Sequence, residues 1–531
     1  MKYEIFRSNK YREIMSDYNV GSLLAKNIDF LGWGEEEISS FLSNPKGTDI
    51  SGVVALVEVR ERLYKAREKK ERVFVFGDYD ADGICATTMM VKILDELGIE
   101  NGYYLPNRLS EGYGLNIERT KQAIDKGYSL IITVDNGVKA TDSLEFAKEK
   151  GIDVIVTDHH IIENEVEAHT ILHPDILPPN LSWLCGAGCV LQIAKILDLN
   201  LQEYLVLAMV ATIGDMMELK GENRWIVKEG LRSFKEGYCS NLSLLLSGKV
   251  ENVCEEDIGY QIVPKLNAVG RLADRANVNS VVQYLLSSNQ IEIAKYAQEL
   301  STINQQRREL TKEHLVQIDV NSLDKNFAVI YNESFHPGIV GLVANNLCRE
   351  IGIPVLVATI HDGKCVGSIR GVPGIDIIEC LNPIKNSFIN YGGHVVAAGV
   401  SFEKERLADI TEYLNKYEYV ASEVAEVCIM VNDEDMTTEN LEELFGHGPY
   451  GKGMALPLYY YREPNIVSYN YLKKENYLKW KFAQMEGLWF SDTSTYQDFL
   501  NCDKLNFIGK LRMNYFRDML SYVLQLQTVE K

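Results

Sequence analysis

Three short runs of β-branched and aromatic residues each lead straight into a turn that carries acids or histidines. The runs and their turns are RVFVF before GDYDADG (residues 72–83), LIITV before DNG (130–137) and IDVIVT before DHH (152–160). Such runs are typical of strands buried on both faces of a sheet. Helical stretches at residues 85–97 and 139–150 follow the first two runs. The order strand, helix, strand therefore predicts an α/β domain with a parallel sheet and right-handed crossovers.

The carboxyl ends of the predicted strands hold the residues that can carry chemistry, and ligands of parallel α/β sheets gather at that edge. Asp80 and Asp82 lie two residues apart after the first strand, and Asp135 and His159 follow its neighbours. Asp215 ends an apolar, helical-looking segment. Carboxylates with one or two imidazoles suit Mn²⁺ or Mg²⁺. Because converging carboxylates need cations between them, the pattern predicts two bridged ions and phosphoryl hydrolysis.

A structural interpretation of these acids is the alternative. A single aspartate at a strand end is more often a helix cap or a turn residue than a metal ligand. Asp78 stays open between these two roles. Acids and histidines at three neighbouring strand ends together favour a site.

The 531 residues exceed what one hydrophobic core holds, so two to four domains are expected. A second α/β unit begins near residue 326, and a region rich in aromatic, strand-like runs begins near residue 424. A helical stretch from residue 278 to residue 312 contains no proline or glycine and predicts a connector.

Charge and hydropathy limit the possible partners. The net charge of −21 argues against indiscriminate coating of DNA, although a local basic groove on an acidic body remains compatible with a nuclease. No apolar run is long enough to span a bilayer, and the N-terminus is charged, so a cytoplasmic protein without membrane contact is expected. The ten cysteines show no zinc or disulfide pattern.

The motifs GDYDADG, VDNG, TDHH and IGD, in this order, resemble those of the DHH phosphoesterases. Further stretches are similar to the RecJ family within that group: PNR with EGYGL (106–115), GAG (186–188) and PKLNAVGR (264–271). The stretches GIVG (338–341), GSIR (367–370), GGH (392–394) and AAG (397–399) resemble the DHH-associated domain, and GPYGKG (448–453) the start of an OB-like domain. The resemblance covers nearly the whole chain and is looser in the third domain.

This resemblance implies an α/β fold. A parallel-sheet DHH phosphoesterase domain would be joined by a long helix to a smaller α/β DHH-associated domain, followed by a small all-β OB-like domain. The implied divisions are an N-terminal helical segment packing on the DHH domain (1–55), the DHH catalytic domain (56–277), the connector helix (278–318), the DHH-associated substrate-binding domain (319–422) and the OB-like nucleic-acid-binding domain (423–531).

The resemblance also assigns roles at the site. Two Mn²⁺ or Mg²⁺ ions would be held by Asp80, Asp82, Asp135, His159 and Asp215, with Asp135 bridging and both Asp82 and Asp135 counted as catalytic. His160 would contact the scissile phosphate or assist proton transfer, a role that suits histidine because the ordinary pKa of its side chain lies near neutrality. A hydrogen-bonding role behind the ligands is the alternative for His160.

A second set of residues is predicted to bind substrate. Asn107, Arg108 and Arg271 would bind phosphate or position a loop, since guanidinium forks grip phosphate well. A cradle for the 5′ phosphate or terminal nucleotide is implied in the second domain, formed by Ser368, Arg370, Gly392, Gly393 and His394. The family usually has a second serine after this Ser-x-Arg, where this chain has Gly371. Aromatic–basic pairs of the third domain, such as Trp480-Lys481, fit strand binding by stacking, although most of these aromatics are expected to fill its core.

The implied function is a 5′→3′ exonuclease that hydrolyses single-stranded DNA to 5′ mononucleotides in recombination and repair. A monomer is expected, and a single-strand-binding protein and a helicase are left open as partners. One alternative is a phosphodiesterase on short oligonucleotides or cyclic dinucleotides, against which the third domain and the NAVGR stretch argue. Another is a non-catalytic nucleic-acid-binding scaffold, against which the complete ligand set argues.

Overall fold

The computed structural model describes residues 3–420, 425–472, 477–490, 499, 504–516 and 519–531. Within them the chain forms a parallel five-stranded sheet, a mixed five-stranded sheet and a mixed eight-stranded sheet, each with its own helices. The predicted α/β class, with a β-rich third region, is confirmed. Among these residues, no helix combines the length and the apolar character of a membrane span.

The N-terminal segment contains a strand as well as helices: β1 (Tyr3–Phe6), α1 (Tyr11–Tyr18), α2 (Ser22–Leu31) and α3 (Glu35–Leu42). β1 pairs in parallel with the strand Glu426–Val431 of the third sheet, and Lys26 of α2 forms a 2.6 Å ion pair with Asp435. The segment 1–55 was predicted to be helical and to pack on the first domain, and that prediction did not include β1 or its pairing. A four-residue strand has too short an alternation to be recognised, and its partner is distant in sequence.

The first domain is built on a wholly parallel sheet in the order β3-β2-β4-β5-β6. β4 is buried along its whole length, as its apolar sequence predicts. Because β2, β4 and β5 are neighbours, their carboxyl ends meet at one edge. The elements are α4 (Val54–Glu68), β2 (Val73–Phe76), α5 (Ala81–Glu96), β3 (Asn101–Tyr104), α6 (Ile117–Asp125), β4 (Leu130–Val134), α7 (Thr141–Glu149), β5 (Asp153–Thr157) and β6 (Thr170–Leu172).

A helical layer completes this domain and covers α5. A π-helical turn, Ile258–Ile262, leads into the last of its helices. The helices are α8 (Gly186–Ile196), α9 (Gln202–Gly214), α10 (Glu222–Lys235), α11 (Ser240–Ser243), α12 (Glu255–Asp257) and α13 (Val263–Arg271).

The connector is two helices rather than one: α14 (Asn279–Leu286) and α15 (Gln290–Val316). Asn289 caps α15 by accepting a hydrogen bond from the main-chain N–H of Ile291, and the hydroxyl of Ser287 accepts one from Asn289. Such short polar side chains end and start helices, so the sequence Ser-Ser-Asn carried the signal for this break.

The second domain has the sheet order β10-β11-β9-β8-β7, in which only β7 and β8 are parallel. Its elements are β7 (Ala328–Tyr331), α16 (Val340–Ile351), β8 (Val355–His361), β9 (Lys364–Arg370), α17 (Ile377–Leu381), β10 (Asn390–His394), β11 (Ala397–Phe402) and α18 (Leu407–Lys416).

In its described residues, the third domain is a sheet accompanied by the helix α19, with the strand order β1-β12-β13-β17-β18-β16-β15-β14. Tyr461 and Trp480 of the predicted aromatic–basic pairs are buried in its core, as expected for most of these aromatics. The elements are β12 (Glu426–Val431), α19 (Thr438–Gly446), β13 (Leu458–Tyr461), β14 (Ile466–Leu472), β15 (Tyr477–Phe482), β16 (Glu486–Trp489), β17 (Asn506–Phe516) and β18 (Met519–Glu530).

Candidate active site

The turn from β2 into α5 holds two of the predicted ligands. Asp80 is the N-cap of α5, and its carboxylate accepts hydrogen bonds from the main-chain N–H groups of Asp82 and Gly83 at 3.0 and 3.1 Å. Ala81 donates to the side-chain oxygen of Asn267 at 2.7 Å. The capping role and a ligand role are compatible, since an ionised carboxylate offers about four lone-pair sites.

The N-terminus of α8 holds Asp82. The two carboxylate oxygens of Asp82 accept hydrogen bonds from Gly186 and Ala187, both at 2.7 Å. Gly186 must be glycine, because a Cβ there would lie 2.6 Å from the Cβ of Asp135. The GAG stretch therefore places a positive helix end against one carboxylate while its backbone passes close to another.

Asp135, His159 and Asp215 converge on the buried Asp82. Nε2 of His159 lies 3.1 Å from Oδ1 of Asp135, 3.6 Å from Oδ2 of Asp215 and 3.7 Å from Oδ2 of Asp82. Burial lowers the pKa of His159, which favours the neutral imidazole that a metal needs.

The buried carboxylates of this cluster repel one another, which raises the pKa values of most of them. Burial, followed by repulsion from a neighbouring carboxylate, raises the pKa values of Asp78, Asp80 and Asp135. Burial, then Asp82 and Asp80, raises the pKa of Asp215 to about 8. Oδ1 of Asp78 and Oδ1 of Asp135 are buried without a hydrogen-bond donor. Orphaned acceptors among mutually repelling acids fit divalent cations.

Three overlapping groups of side chains have ligand atoms close enough to share an ion. One joins Asp82, His159 and Asp215, and another joins Asp78, Asp80 and Asp135. The third joins Asp135, His159 and His160. Asp135 belongs to two groups, and Asp78, which the sequence left open, belongs to one.

His160 sits beside the cluster in a defined orientation. Nδ1 of His160 lies 2.8 Å from Oδ1 of Asp158, which also accepts main-chain N–H groups of His159 and His160. The hydroxyl of Tyr113 donates to the main-chain oxygen of Asp135 at 3.0 Å and lies 2.9 Å from Nδ1 of His160. Burial alone lowers the pKa of His160, but the Asp158 carboxylate outweighs it and the pKa is raised. The Asp158 carboxylate favours the tautomer in which Nδ1–H donates to it, so Nε2, which lies 3.4 Å from the Tyr113 hydroxyl, is the nitrogen that can exchange a proton.

A cluster of arginines lies between the first two domains. Burial is the main cause that lowers the pKa of Arg271 to about 9, and three neighbouring guanidinium groups add to it: Arg108, Arg307 and Arg370. In the described part of the chain, none of the four forms an ion pair with a carboxylate. Gly338 approaches the cluster so closely that a Cβ would lie 1.8 Å from the main-chain oxygen of Arg271. The NAVGR and GIVG stretches therefore meet at this domain junction.

The remaining predicted substrate residues fall into two places. Asn107 holds its own loop: its side chain accepts from Leu109 and Ser110 and donates to the main-chain oxygen of Ala273. In the second domain, Arg370 donates to the hydroxyl of Ser368 at 2.7 Å.

The Gly-Gly-His stretch lies across the same sheet as Ser368 and Arg370. Gly392 is in register with Gly399 and Ser368, and His394 with Ala397 and Arg370. Gly392, Gly393 and His394 are exposed on the edge strand, two strands away from Arg370.

Several residues of this site were not predicted from the sequence. Tyr113 and Asp158 lie in recognised motifs but received no role, because their partners are decided by packing. Arg307 has no motif around it, and its place in the arginine cluster follows only from the packing of α15 on α13.

The comparisons with known proteins agree with this layout. Three family models match: the DHH family, N-terminal domain over residues 72–213, the DHHA1 domain over residues 324–418 and the RecJ OB domain over residues 429–528. The single-stranded-DNA-specific exonuclease RecJ of Escherichia coli is 30% identical over 457 residues, which cover 77% of this chain and 78% of that protein. The chain belongs to the RecJ family.

The RecJ protein of Bacillus subtilis is also 30% identical, over 477 residues that cover 85% of this chain; the chain spans 60% of that protein's length. The crystal structure of Thermus thermophilus RecJ in complex with Mn²⁺ superposes with a TM-score of 0.83 at 24% identity, covering 100% of this chain and 79% of that one. The RecJ resemblance and the three-part fold predicted from the motifs are thereby confirmed.

Proposed function

We propose that this chain is a metal-dependent exonuclease that hydrolyses single-stranded DNA from the 5′ end to 5′ mononucleotides, in DNA recombination and repair. The observation that carries the proposal is the convergence of Asp80, Asp82, Asp135, His159 and Asp215 beside an arginine cluster without carboxylate partners. The activity named for its RecJ relatives supports the same conclusion.

Two divalent ions, Mn²⁺ or Mg²⁺, would be held by the acidic cluster, with Asp135 as the shared ligand. Asp82, His159 and Asp215 would hold one ion, and Asp78 and Asp80 would join Asp135 around the other. When bound, such ions neutralise phosphate charge and lower the pKa of water, which prepares it for attack on phosphorus.

The chain's own groups would orient substrate and move protons. Asp158 fixes Nδ1 of His160, so that Nε2 can take or give a proton at the scissile phosphate. The N-terminus of α8 keeps Asp82 in place during this exchange. We assign the catalytic role to His160, Asp82 and Asp135 on these contacts.

The polarity of digestion is proposed from the arginine cluster. A terminal phosphate carries more negative charge than an internal phosphodiester, so it gains most from unpaired guanidinium groups. Arg108 partly offsets the charges of Asp78 and Asp80, which puts the cluster within electrostatic reach of the metal ligands. We therefore assign the 5′ phosphate to Arg108, Arg271 and Arg370, with Ser368 beside them, and the next nucleotides to the exposed Gly392, Gly393 and His394.

The rest of the strand would follow a groove between the first and third domains. A cavity of about 460 Å³ is lined by Met216 and Tyr260, which are 68% and 71% exposed, and by Lys452 and Lys510. The charge of Lys452 reaches Asp215, so the groove opens onto the metal ligands. Exposed aromatic and basic side chains suit a single strand, which offers bases to stack and phosphates to pair.

The cellular setting is proposed from the substrate. Single strands in the cytoplasm arise at damaged or replicating DNA, where a single-strand-binding protein coats them and a helicase exposes them. We propose that the chain acts there as a monomer, since one copy supplies the acidic cluster, the arginines and the groove.

The two alternative functions have less support. A short-substrate phosphodiesterase has no need of the groove of the third domain. A non-catalytic scaffold has no need of a complete set of buried acids, whose burial is costly without cations.

The first experiment incubates the protein with single-stranded DNA labelled at either end, with Mn²⁺, Mg²⁺ or chelator. We expect metal-dependent release of mononucleotides from the 5′ end. Asp135→Asn keeps the shape but loses the shared charge and should reduce the rate by at least about 100-fold. Asp142→Asn, on the exposed start of α7, is the matched control and should retain full activity.

Three outcomes would overturn parts of this proposal. Release from the 3′ end would remove the role of the arginine cluster at the 5′ phosphate. Cleavage limited to dinucleotides would favour the short-substrate alternative. Binding of the strand without hydrolysis under either metal would favour the non-catalytic scaffold.

A further inference from the structure

We propose that the chain carries a second anion-binding site, outside the metal and arginine clusters, where Arg224 at the start of α10 takes one phosphate or carboxylate group of a small molecule. The site lies where the N-terminal segment, the first domain and the third domain meet. It is independent of the proposed exonuclease activity.

Arg224 is a buried cation without an anion. Its residue is 6% exposed, and burial is the main cause that lowers its pKa to about 10. One terminal nitrogen donates to the main-chain oxygen of His447 at 2.8 Å, and the other lies 3.7 Å from the sulfur of Met454. Nε has no acceptor, and Arg224 forms no ion pair with any carboxylate that the structure describes.

Packing explains one face of this guanidinium but not its edge. The centre of the group lies 4.2 Å from the ring centroid of Phe41, a favourable cation–π distance. That contact satisfies the flat face and offers nothing to the Nε–H donor. The Nε–H is enclosed by the protein, but each terminal nitrogen carries a second N–H without an acceptor among the described residues, and an anion in a neighbouring cavity can reach these donors.

A cavity of about 640 Å³ lies against Arg224. Trp33 and Phe41 of the N-terminal segment, with Leu219 and Met454, form the apolar part of its lining, and polar side chains and Lys46 form the rest. Its volume exceeds the lower limit of about 300 Å³ typical of small-molecule sites. An aromatic-walled cavity with one buried cation fits a ligand that has an apolar body and one anionic group.

The start of α10 adds to the attraction. Lys220 and Gly221, which precede the helix, line the same cavity, and α10 is long enough at 14 residues to present a positive N-terminus. Glu36 and Glu37 of α3 also line the cavity. Their charges disfavour ligands that carry several anionic groups.

The proposal is tested by calorimetric titration of the full chain, in the presence of chelator, with orthophosphate and separately with acetate. We expect Arg224→Met to weaken uptake at one site by about tenfold or more, since a hydrogen bond to a charged group is lost. Arg232→Met is the matched control, because Arg232 lies on the same helix, is paired with Glu229 and does not line the cavity. Sensitivity to acetate alone identifies a carboxylate ligand, and sensitivity to orthophosphate identifies a phosphate.

A second variant guards against a folding defect in Arg224→Met. Ser40 is an exposed residue that lines the cavity, so Ser40→Glu supplies the missing anion from within. It should abolish the Arg224-dependent uptake and raise the melting temperature, whereas Ser40→Ala should change neither. Uptake of both anions that is the same in wild type, Arg224→Met and Ser40→Glu would overturn the proposal.

Discussion

At the scale of single residues, the site depends on groups that stand behind the metal ligands. The aspartates and His159 could be predicted from the sequence, because the carboxyl ends of parallel strands converge. Carboxylates brought together there repel one another unless a cation lies between them. Tyr113 could not be assigned, since its partners Asp135 and His160 follow it by 22 and 47 residues and meet it only after folding. For Asp158, one carboxylate oxygen accepts from the neighbouring main-chain N–H groups of His159 and His160, while the other accepts from Val138, a contact that forms only after folding.

Tyr113→Phe removes the hydroxyl that ties the loop of Asp135 to His160. We expect kcat on single-stranded DNA to fall by about tenfold, the equivalent of one hydrogen bond, while KM changes little. The measurement is steady-state release of mononucleotides across a range of pH, in which the limb assigned to His160 should shift.

Tyr128→Phe is the matched control for that change, because its ring packs on Phe74 at the amino ends of the strands. It should leave kcat unaltered. A rise in KM with unchanged kcat in Tyr113→Phe would mean that the hydroxyl binds the strand and does not position His160.

At the scale of elements, the buried central strand was predictable, whereas the short edge strand β1 and the break between α14 and α15 were not. β4 was recognised to the residue because a short run of apolar and β-branched residues, bounded by turn residues, is typical of a strand buried on both faces. β1 has four residues and a partner that is distant in sequence, so no local pattern predicts it. The side chains of Ser287 and Asn289 compete with the helix before α15, but the stretch was predicted to be continuous because residues 278–312 contain no proline or glycine.

Gly186→Ala tests the contact between α8 and the metal ligands. The new Cβ would lie 2.6 Å from the Cβ of Asp135, so the helix or the ligand must shift. We expect nuclease activity to fall about 100-fold, as for a misplacement of about 1 Å at a catalytic group. We expect the free energy of unfolding to fall by about 1–3 kcal/mol, measured in urea.

Gly188→Ala is the control on the same helix, where the new Cβ meets only the flexible side chain of Leu184 at 3.0 Å. Its activity should stay near that of the wild type. Equal loss in both variants would show that α8 matters for stability and not for the placement of Asp82.

At the scale of the whole molecule, basic side chains collect at two junctions between domains. The chain carries 75 acidic and 54 basic side chains, yet the junction of the first two domains collects arginines and the groove to the third collects lysines. The groove is also lined by Glu255 and Glu256, so its three basic side chains, Lys452, Lys510 and Arg512, exceed its acids by one. The net charge of the sequence could not reveal this arrangement, because it depends on which surfaces face each other.

The acidic cluster makes stability depend on pH in a defined direction. In chelator, the folded protein keeps protons on Asp78, Asp80, Asp135 and Asp215, whereas the unfolded chain releases them near the ordinary aspartate pKa of about 4. Stability should therefore fall as pH rises from about 4 to about 8, the pKa of Asp215. Thermal unfolding across this range checks it.

Two comparisons isolate the cause of that trend. Mn²⁺ in excess should reduce or reverse the fall, because it binds the ionised carboxylates of the folded state alone. Asp215→Asn should show a shallower slope in chelator than the wild type. A slope unchanged by either would assign the pH dependence to groups elsewhere in the chain.

The pairing of β1 with β12 has a consequence for how the chain is made. Phe6 pairs with Ile429, so about 420 residues are added before the partner strand exists. At about 5–20 residues per second, that delay is roughly 20–80 s on the ribosome. During this interval the first two domains can fold while β1 waits as an unpaired strand. The third sheet therefore closes over a strand that is made before the first two domains, and assembly of the proposed strand-binding groove is a late event of synthesis.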